Sequence, residues 1–160
     1  MSSPSPKTDL TTITSSGDLR LPHLGYLLNK AAHEVGQQLD ASLEPLGIRV
    51  KHYIILLLLI QVNSALPQKE IGDRLRIDRN TMVSLIDALE ALQLVVRSRD
   101  PNDRRSYAIS ITGKGRELAP RAAKVVAEAD ARFVEALSAD EVEQLLELLS
   151  KLLRRREDSF

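Results

Sequence analysis

The sequence predicts a mostly α fold with a small β-hairpin, an α+β class, and three observations carry that prediction. Residues 68–75 and 78–92 hold apolar residues at helical spacing on either side of a three-residue turn. The pattern then switches at once to β-branched alternation over 95–99 and 107–111. Long apolar stripes at helical spacing lie outside this unit on both sides, within 18–43 and 138–153.

Residues 1–17 are short of large apolar side chains and are expected to form a disordered N-terminal tail. Residues 18–43 read as the first long helix. Pro22 suits its first turn, Leu24, Leu27, Leu28, Ala31, Val35 and Leu39 make one stripe, and Pro45 with Gly47 ends it. Residues 50–61 include an unbroken apolar run from Tyr53 to Ile60. Spanning a bilayer takes about 20 such residues, so the run predicts a central helix buried on nearly all sides and no membrane partner. Residues 63–67 read as a linker.

Next come the two short helices. Ile71 and Leu75 of the first face inward, and residues 76–78 make the turn. Asp78 can cap the second helix, in which Met82, Leu85, Ile86, Leu89 and Leu92 repeat at helical spacing. Two strands follow, joined by Asp100-Pro101-Asn102-Asp103-Arg104-Arg105-Ser106, whose Asp, Pro and Asn fit a type I turn. Helix, turn, helix and hairpin together make a winged helix-turn-helix. In that arrangement the N-terminal side chains of the second helix reach base edges.

Residues 112–137 read as a further helix capped by Thr112. Gly113 and Gly115 should weaken its first turn, and Pro120 should kink or restart it. Ser138 and Glu141 form a capping box for the last helix, with Leu137 and Val142 as its staple. Val142, Leu145, Leu149 and Leu152 make its seam, and Arg154, Arg155 and Arg156 close it.

The apolar helices at the two ends exceed what a winged unit can cover, which points to a homodimer. The expected organisation is therefore a tail over 1–17, a dimerisation helix over 18–48, a winged helix-turn-helix over 49–112 and C-terminal dimerisation helices over 113–160. The fold class is thus a winged helix-turn-helix flanked by N- and C-terminal dimerisation helices.

Composition narrows the function. Lys and Arg number 22 and so do Asp and Glu, giving a formal net charge of zero. The distribution is uneven, however: residues 97–116 carry six basic side chains against two acidic, a net +4, and residues 117–160 carry a net −3. A basic hairpin on a neutral average is compatible with binding double-stranded DNA. Aromatic residues are 3% and Trp is absent, so the core must be aliphatic. The absence of Cys removes disulfides, thiolate metal sites and thiol redox chemistry. His23, His33 and His52 show no ligand spacing, so no metal and no cofactor are expected. No phosphate loop or nucleophilic triad stands out, so an enzyme is not expected. The polar N-terminus does not resemble a signal peptide, and the expected location is the cytoplasm.

Over roughly 21–153 the chain resembles the MarR family of bacterial transcriptional regulators. Its most specific part is the wing: Val96-Arg97, the run Asp100 to Arg105, and Ile109-Ser110-Ile111-Thr112-Gly113-Lys114-Gly115. Gln68-Lys69-Glu70-Ile71 and Asp78-Arg79-Asn80-Thr81 match the family's two helix-turn-helix signatures. The resemblance implies a triangular, mostly helical dimer on a pseudo-palindromic operator, often released by a small ligand. It implies that Arg105 enters the minor groove and that Asp103 holds the wing by pairing with Arg97 or Arg99. Departures are Gln93 where the family commonly has Gly, Ser84 and Ala88 where many members carry arginine, and Pro67 in place of a polar cap.

The candidate DNA-binding residues follow. Arg79, Asn80, Thr81 and Ser84 are the base readers, since Asn suits adenine, Arg suits guanine, and Thr or Ser suits either or a phosphate. Arg104 and Arg105 at the wing tip suit the negative potential of a narrow minor groove. Arg76, Arg97 and Arg99 are expected to touch phosphates or to pair with the wing-structuring Asp100 and Asp103. The family's ligand cleft lies between the first two helices and the DNA-binding lobe. There Tyr26, Arg49, His52 and Tyr53 would suit a small phenol or aromatic carboxylate. The expected activity is that of a repressor, and the alternative is a winged-helix protein-interaction module without DNA binding.

Overall fold

The structure is a computed structural model describing residues 24–99 and 107–154. Helix α1, Leu24–Leu43, is solvated over its first turns, where Leu24, Tyr26, Leu27 and Leu28 are exposed, and ends with Leu43 fully buried. Pro45 lies in the single 3-10 turn Glu44–Leu46, which stops the helix, and Gly47 takes the left-handed conformation that closes the turn. The expected start of this helix at residues 18–23, with Pro22, lies outside the described residues, as does the expected disordered tail.

Helix α2, Val50–Val62, begins on two polar ties. The Arg49 N–H donates to His52 Nδ1 at 3.1 Å, and the Val50 N–H donates to Asp40 Oδ1 of α1 at 2.8 Å. Tyr53, Ile55, Leu56 and Leu59 are buried and sit at the centre of the core with Ile71, Met82, Ile86, Leu89 and Ile109. The helix is not buried on nearly all sides, as its uninterrupted apolar run suggested. Ile54 and Leu57 are each 40% exposed, because α1, the helix-turn-helix and the later helix Gly113–Phe133 cover only part of its circumference.

Residues 63–67 are not merely a linker. Leu66–Pro67 form a short strand, β1, paired antiparallel with a later strand as Leu66↔Ile109 and Pro67↔Ala108. Pro67 is tolerated because it stands on an edge strand. Helix α3, Gln68–Leu75, follows at once, and helix α4, Arg79–Ala91, starts after the three-residue turn. Strands β2, Val95–Arg99, and β3, Tyr107–Ile111, fall where the alternation placed them, and the sheet order is β1-β3-β2.

Helix α5, Gly113–Phe133, packs against both α1 and α2. Its start is anchored tightly. The Thr112 hydroxyl donates to the Gln93 carbonyl at 2.7 Å and accepts from the Gly115 N–H at 3.1 Å, and Lys114 Nζ donates to the Leu92 carbonyl at 2.8 Å. Gly115 is buried against the Leu94 carbonyl, where no side chain fits, so this glycine serves close approach and does not simply weaken the turn. Pro120 neither breaks nor restarts the helix. Arg116, whose carbonyl loses its partner to the proline, is exposed, so water can satisfy that carbonyl, while buried Ala119 and Ala122 hold the flanks. The helix ends at Phe133, short of the expected 137. Helix α6, Ala139–Arg154, opens on the expected capping box: the Ser138 N–H and hydroxyl both donate to Glu141 Oε2, at 2.8 and 2.9 Å. None of its residues is buried, and Leu145, Leu146, Leu148, Leu152 and Leu153 are exposed.

Candidate nucleic-acid interface

Asp78 adopts an extended conformation ahead of α4, and its Oδ1 accepts the Thr81 N–H at 3.0 Å. The hydroxyl and backbone N–H of Thr81 hold this carboxyl below the usual aspartate range. The cap fixes the rotation of α4. Met82, Ile86 and Leu89 turn into the core, which leaves Arg79, Asn80, Val83 and Ser84 on the opposite, solvated face. Ser84 spends its hydroxyl on the Asn80 carbonyl at 3.3 Å. Thr81 is half-buried and is engaged by the cap, whereas Arg79, Asn80 and Ser84 are exposed together.

Arg76 ends α3 in a left-handed conformation, φ 52°, and is exposed in the turn. Arg74, in the last turn of α3, is paired with Glu70 at 2.6 Å. Arg99 lies over the Tyr107 ring, 5.6 Å from its centroid, across the β2–β3 pair. Arg97 points to α4, where Nη2 meets Asp87 and Nη1 meets Glu90 at 2.5 and 2.9 Å. The wing-tip residues Asp100, Asp103, Arg104 and Arg105 lie outside the described residues.

Between α3, α4 and the hairpin runs an open groove of about 1090 Å³, on whose wall Arg79 and Val83 stand. Gln68, Lys69, Asp73 and Tyr107 also line it, and the sequence reading did not single them out as site residues. For Val83 the signal was present: it falls one turn after Arg79 on the face opposite Met82 and Ile86. For Tyr107 the pairing with Arg99 is set by hairpin register, which the turn alone did not fix. The groove's lining carries three cations, Lys69, Arg79 and Arg97, and three carboxylates, Asp73, Asp87 and Glu90. A strong positive field on this face therefore has to come from outside the groove.

The four candidate ligand residues divide. Arg49, His52 and Tyr53 share the first turn of α2 beside Asp40. Tyr26 stands at the far end of α1, roughly 21 Å along the helix axis from Asp40, and is exposed. Burial and the Arg49 charge lower the His52 pKa against the opposing pull of Asp40, and the neutral ring accepts the Arg49 N–H. Burial and the charge of Asp130 raise the Tyr53 phenol. Among the described residues no three His, Asp or Glu converge as a metal site, and no single helix is long and apolar enough to cross a membrane.

Comparison with known proteins bears on this geometry. A model described as the MarR family matches residues 46–106, which include α2, both helices of the helix-turn-helix and the first hairpin strand, β2, and end just before β3. The chain is 31% identical over 129 residues to the HTH-type transcriptional repressor Rv2887 of Mycobacterium tuberculosis, covering 81% of this chain and 92% of the relative. It superposes on the transcriptional repressor CouR bound to a 23-mer DNA duplex with a TM-score of 0.74 and 36% identity, over 82% of this chain and 92% of that one. A cysteine-to-serine mutant of MarR from E. coli, complexed with operator DNA, gives a TM-score of 0.72 at 25% identity, over 81% and 93% of the two chains.

Proposed function

Because this chain belongs to the MarR family of transcriptional regulators, we propose that it is a homodimeric repressor that binds a pseudo-palindromic operator on double-stranded DNA. The observation that carries the proposal is the outward face of α4, where Arg79, Asn80 and Ser84 stand exposed together at the N-terminus of a helix rotated by its Asp78 cap. Such a face suits insertion of α4 into a major groove, with the wing over 97–111 following the backbone and Arg104 and Arg105 entering the minor groove. DNA in the CouR and MarR complexes supports the same partner here.

The dimer is supported by apolar surface that one chain leaves open on both of its terminal helices: Leu24, Leu27 and Leu28 on α1, and Leu145, Leu148 and Leu152 on α6. On this reading residues 18–48 and 113–160 serve dimerisation and 49–112 serve DNA. Release by a small phenol or aromatic carboxylate belongs to the same proposal. Its support is the first turn of α2, where exposed Arg49 adjoins half-buried His52 and buried Tyr53; Tyr26, roughly 21 Å away along α1, does not join them within one chain.

The test is fluorescence anisotropy of the full chain on duplex from upstream of its own gene, across a salt series and against unrelated DNA. The expected result is salt-steep binding that survives the competitor. Binding no tighter than to unrelated DNA would reject this operator assignment and favour a protein-interaction role.

A further inference from the structure

We propose that Arg97 is a positioning residue that locks the wing's edge strand to the recognition helix, and that it is not a phosphate contact. The proposal deepens the DNA-binding reading and rests on it for its operator readout. Asp87 and Glu90 are three residues apart on α4 and so share a face. One guanidinium spans both, Nη2 to Asp87 and Nη1 to Glu90, using the planar fork that a lysine lacks. The second oxygen of Glu90 accepts the Arg97 backbone N–H at 3.3 Å, so Glu90 holds the strand itself as well as the side chain.

The placement gives these bonds leverage. In β2 burial stops at Val95; Val96, Ser98 and Arg99 are exposed, and the Arg97 side chain is only 20% exposed. Strand β3 is seated by buried Ala108 and Ile109 and paired to β1, so the inner side of the hairpin is fixed without Arg97. The outer strand is an edge, and Arg97, opposite Ile109 in register, ties that edge to α4. In sequence the next basic residues are Arg99, Arg104 and Arg105. Arg97 therefore sets the angle between the two elements that must meet adjacent grooves. Its charge is already met by two carboxylates, so the cluster carries −1 and offers a phosphate no net attraction.

Arg97→Lys separates the two roles, since lysine keeps the charge for a phosphate but cannot span both carboxylates. Two readouts are taken: amide hydrogen exchange of DNA-free protein, and operator affinity across a salt series. The expected result is exchange about tenfold faster in residues 96–99 with α2 unchanged, the scale of one lost charge-assisted hydrogen bond. Operator affinity should fall about tenfold at an unchanged salt slope. If Arg97→Lys does not fold, Glu90→Gln gives the same wing readout. Unaltered wing exchange would overturn the proposal, and so would retained affinity in Arg97→Lys. A log-log salt slope flattened by about 0.9 in Arg97→Ala would equally overturn it, because that is the mark of a lost phosphate contact. Wild-type protein that ignores its DNA while the variant still loosens the wing would reject the DNA-binding reading and leave the lock standing.

Discussion

Gly115→Ala sets helix propensity against a steric contact, and the two predict opposite signs. On propensity alone, replacing a glycine inside α5 by alanine should stabilise by about 1 kcal/mol. The surroundings decide otherwise. An added Cβ would overlap the Leu94 carbonyl oxygen and come within 2.7 Å of Ile111 Cγ1. A carbonyl oxygen in a fixed backbone cannot swing aside as a long side chain can, so α5 must shift away from it. That shift pulls on the Thr112 cap and on the Thr112 N–H bond to the Leu94 carbonyl at 3.0 Å. Overpacking costs about 1–3 kcal/mol, and weakening the cap costs about 1 kcal/mol more. Together they outweigh the propensity gain, for a net loss of about 2 kcal/mol. Urea unfolding followed by far-UV circular dichroism, at one fixed protein concentration, should show a midpoint lower by about 1 M with the slope unchanged. A midpoint equal to or above wild type would refute the close-approach account.

Four further outcomes are expected. Arg105→Ala should weaken operator binding and flatten the log-log salt slope by about 0.9; an unchanged slope and affinity would remove the wing from the mechanism. Asn80→Ala should cost about 1–3 kcal/mol on the preferred operator and little on unrelated DNA, measured by competition anisotropy. Because the folded pKa of His52 lies below its ordinary 6.5, the unfolded chain takes up that proton first. Stability should therefore fall as pH drops through about 6.5, and His52→Gln should flatten that slope in denaturant melts. Asp78 and Glu141, whose folded pKa values are lowered, should add losses only when pH falls further, into the carboxylate range. Leu148→Glu with Leu152→Glu should shift the sedimentation coefficient toward a monomer, with helix content retained; an unshifted value would take α6 out of the dimer seam.

Much of the fold was legible because it is local. The bounds of α3, β2 and β3 coincide with the pattern of apolar and β-branched residues, and the caps at Asp78, Thr112 and Ser138 were visible as side chains with the right chemistry one step before a helix. What was not legible depends on distant partners. Leu66–Pro67 is too short to show any period, and it becomes a strand only because Ile109 and Ala108 lie beside it. The unbroken run in α2 says that the helix is apolar all round, but Ile54 and Leu57 are left open by the positions of its neighbours. Gly115 looked like a weak helix start until the Leu94 carbonyl appeared against it. Gln93 could be flagged as a departure in sequence, and the structure shows the reason a glycine would suit the position: its φ is 61°. In the site, the exposed trio Arg79, Asn80 and Ser84 followed from helical phase. The turning of Arg97 toward Asp87 and Glu90 did not, because Asp100, Asp103 and DNA phosphates were equally open to it.

If two copies of α4 read two half-sites, selection of binders from a random duplex library will reveal both. The expected product is an enriched inverted repeat whose half-sites lie about one helical turn, roughly 10 base pairs, apart from centre to centre. Arg79→Ala or Asn80→Ala should relax the same base positions in both halves. Enrichment of a single unpaired half-site, or of no sequence at all, would contradict it.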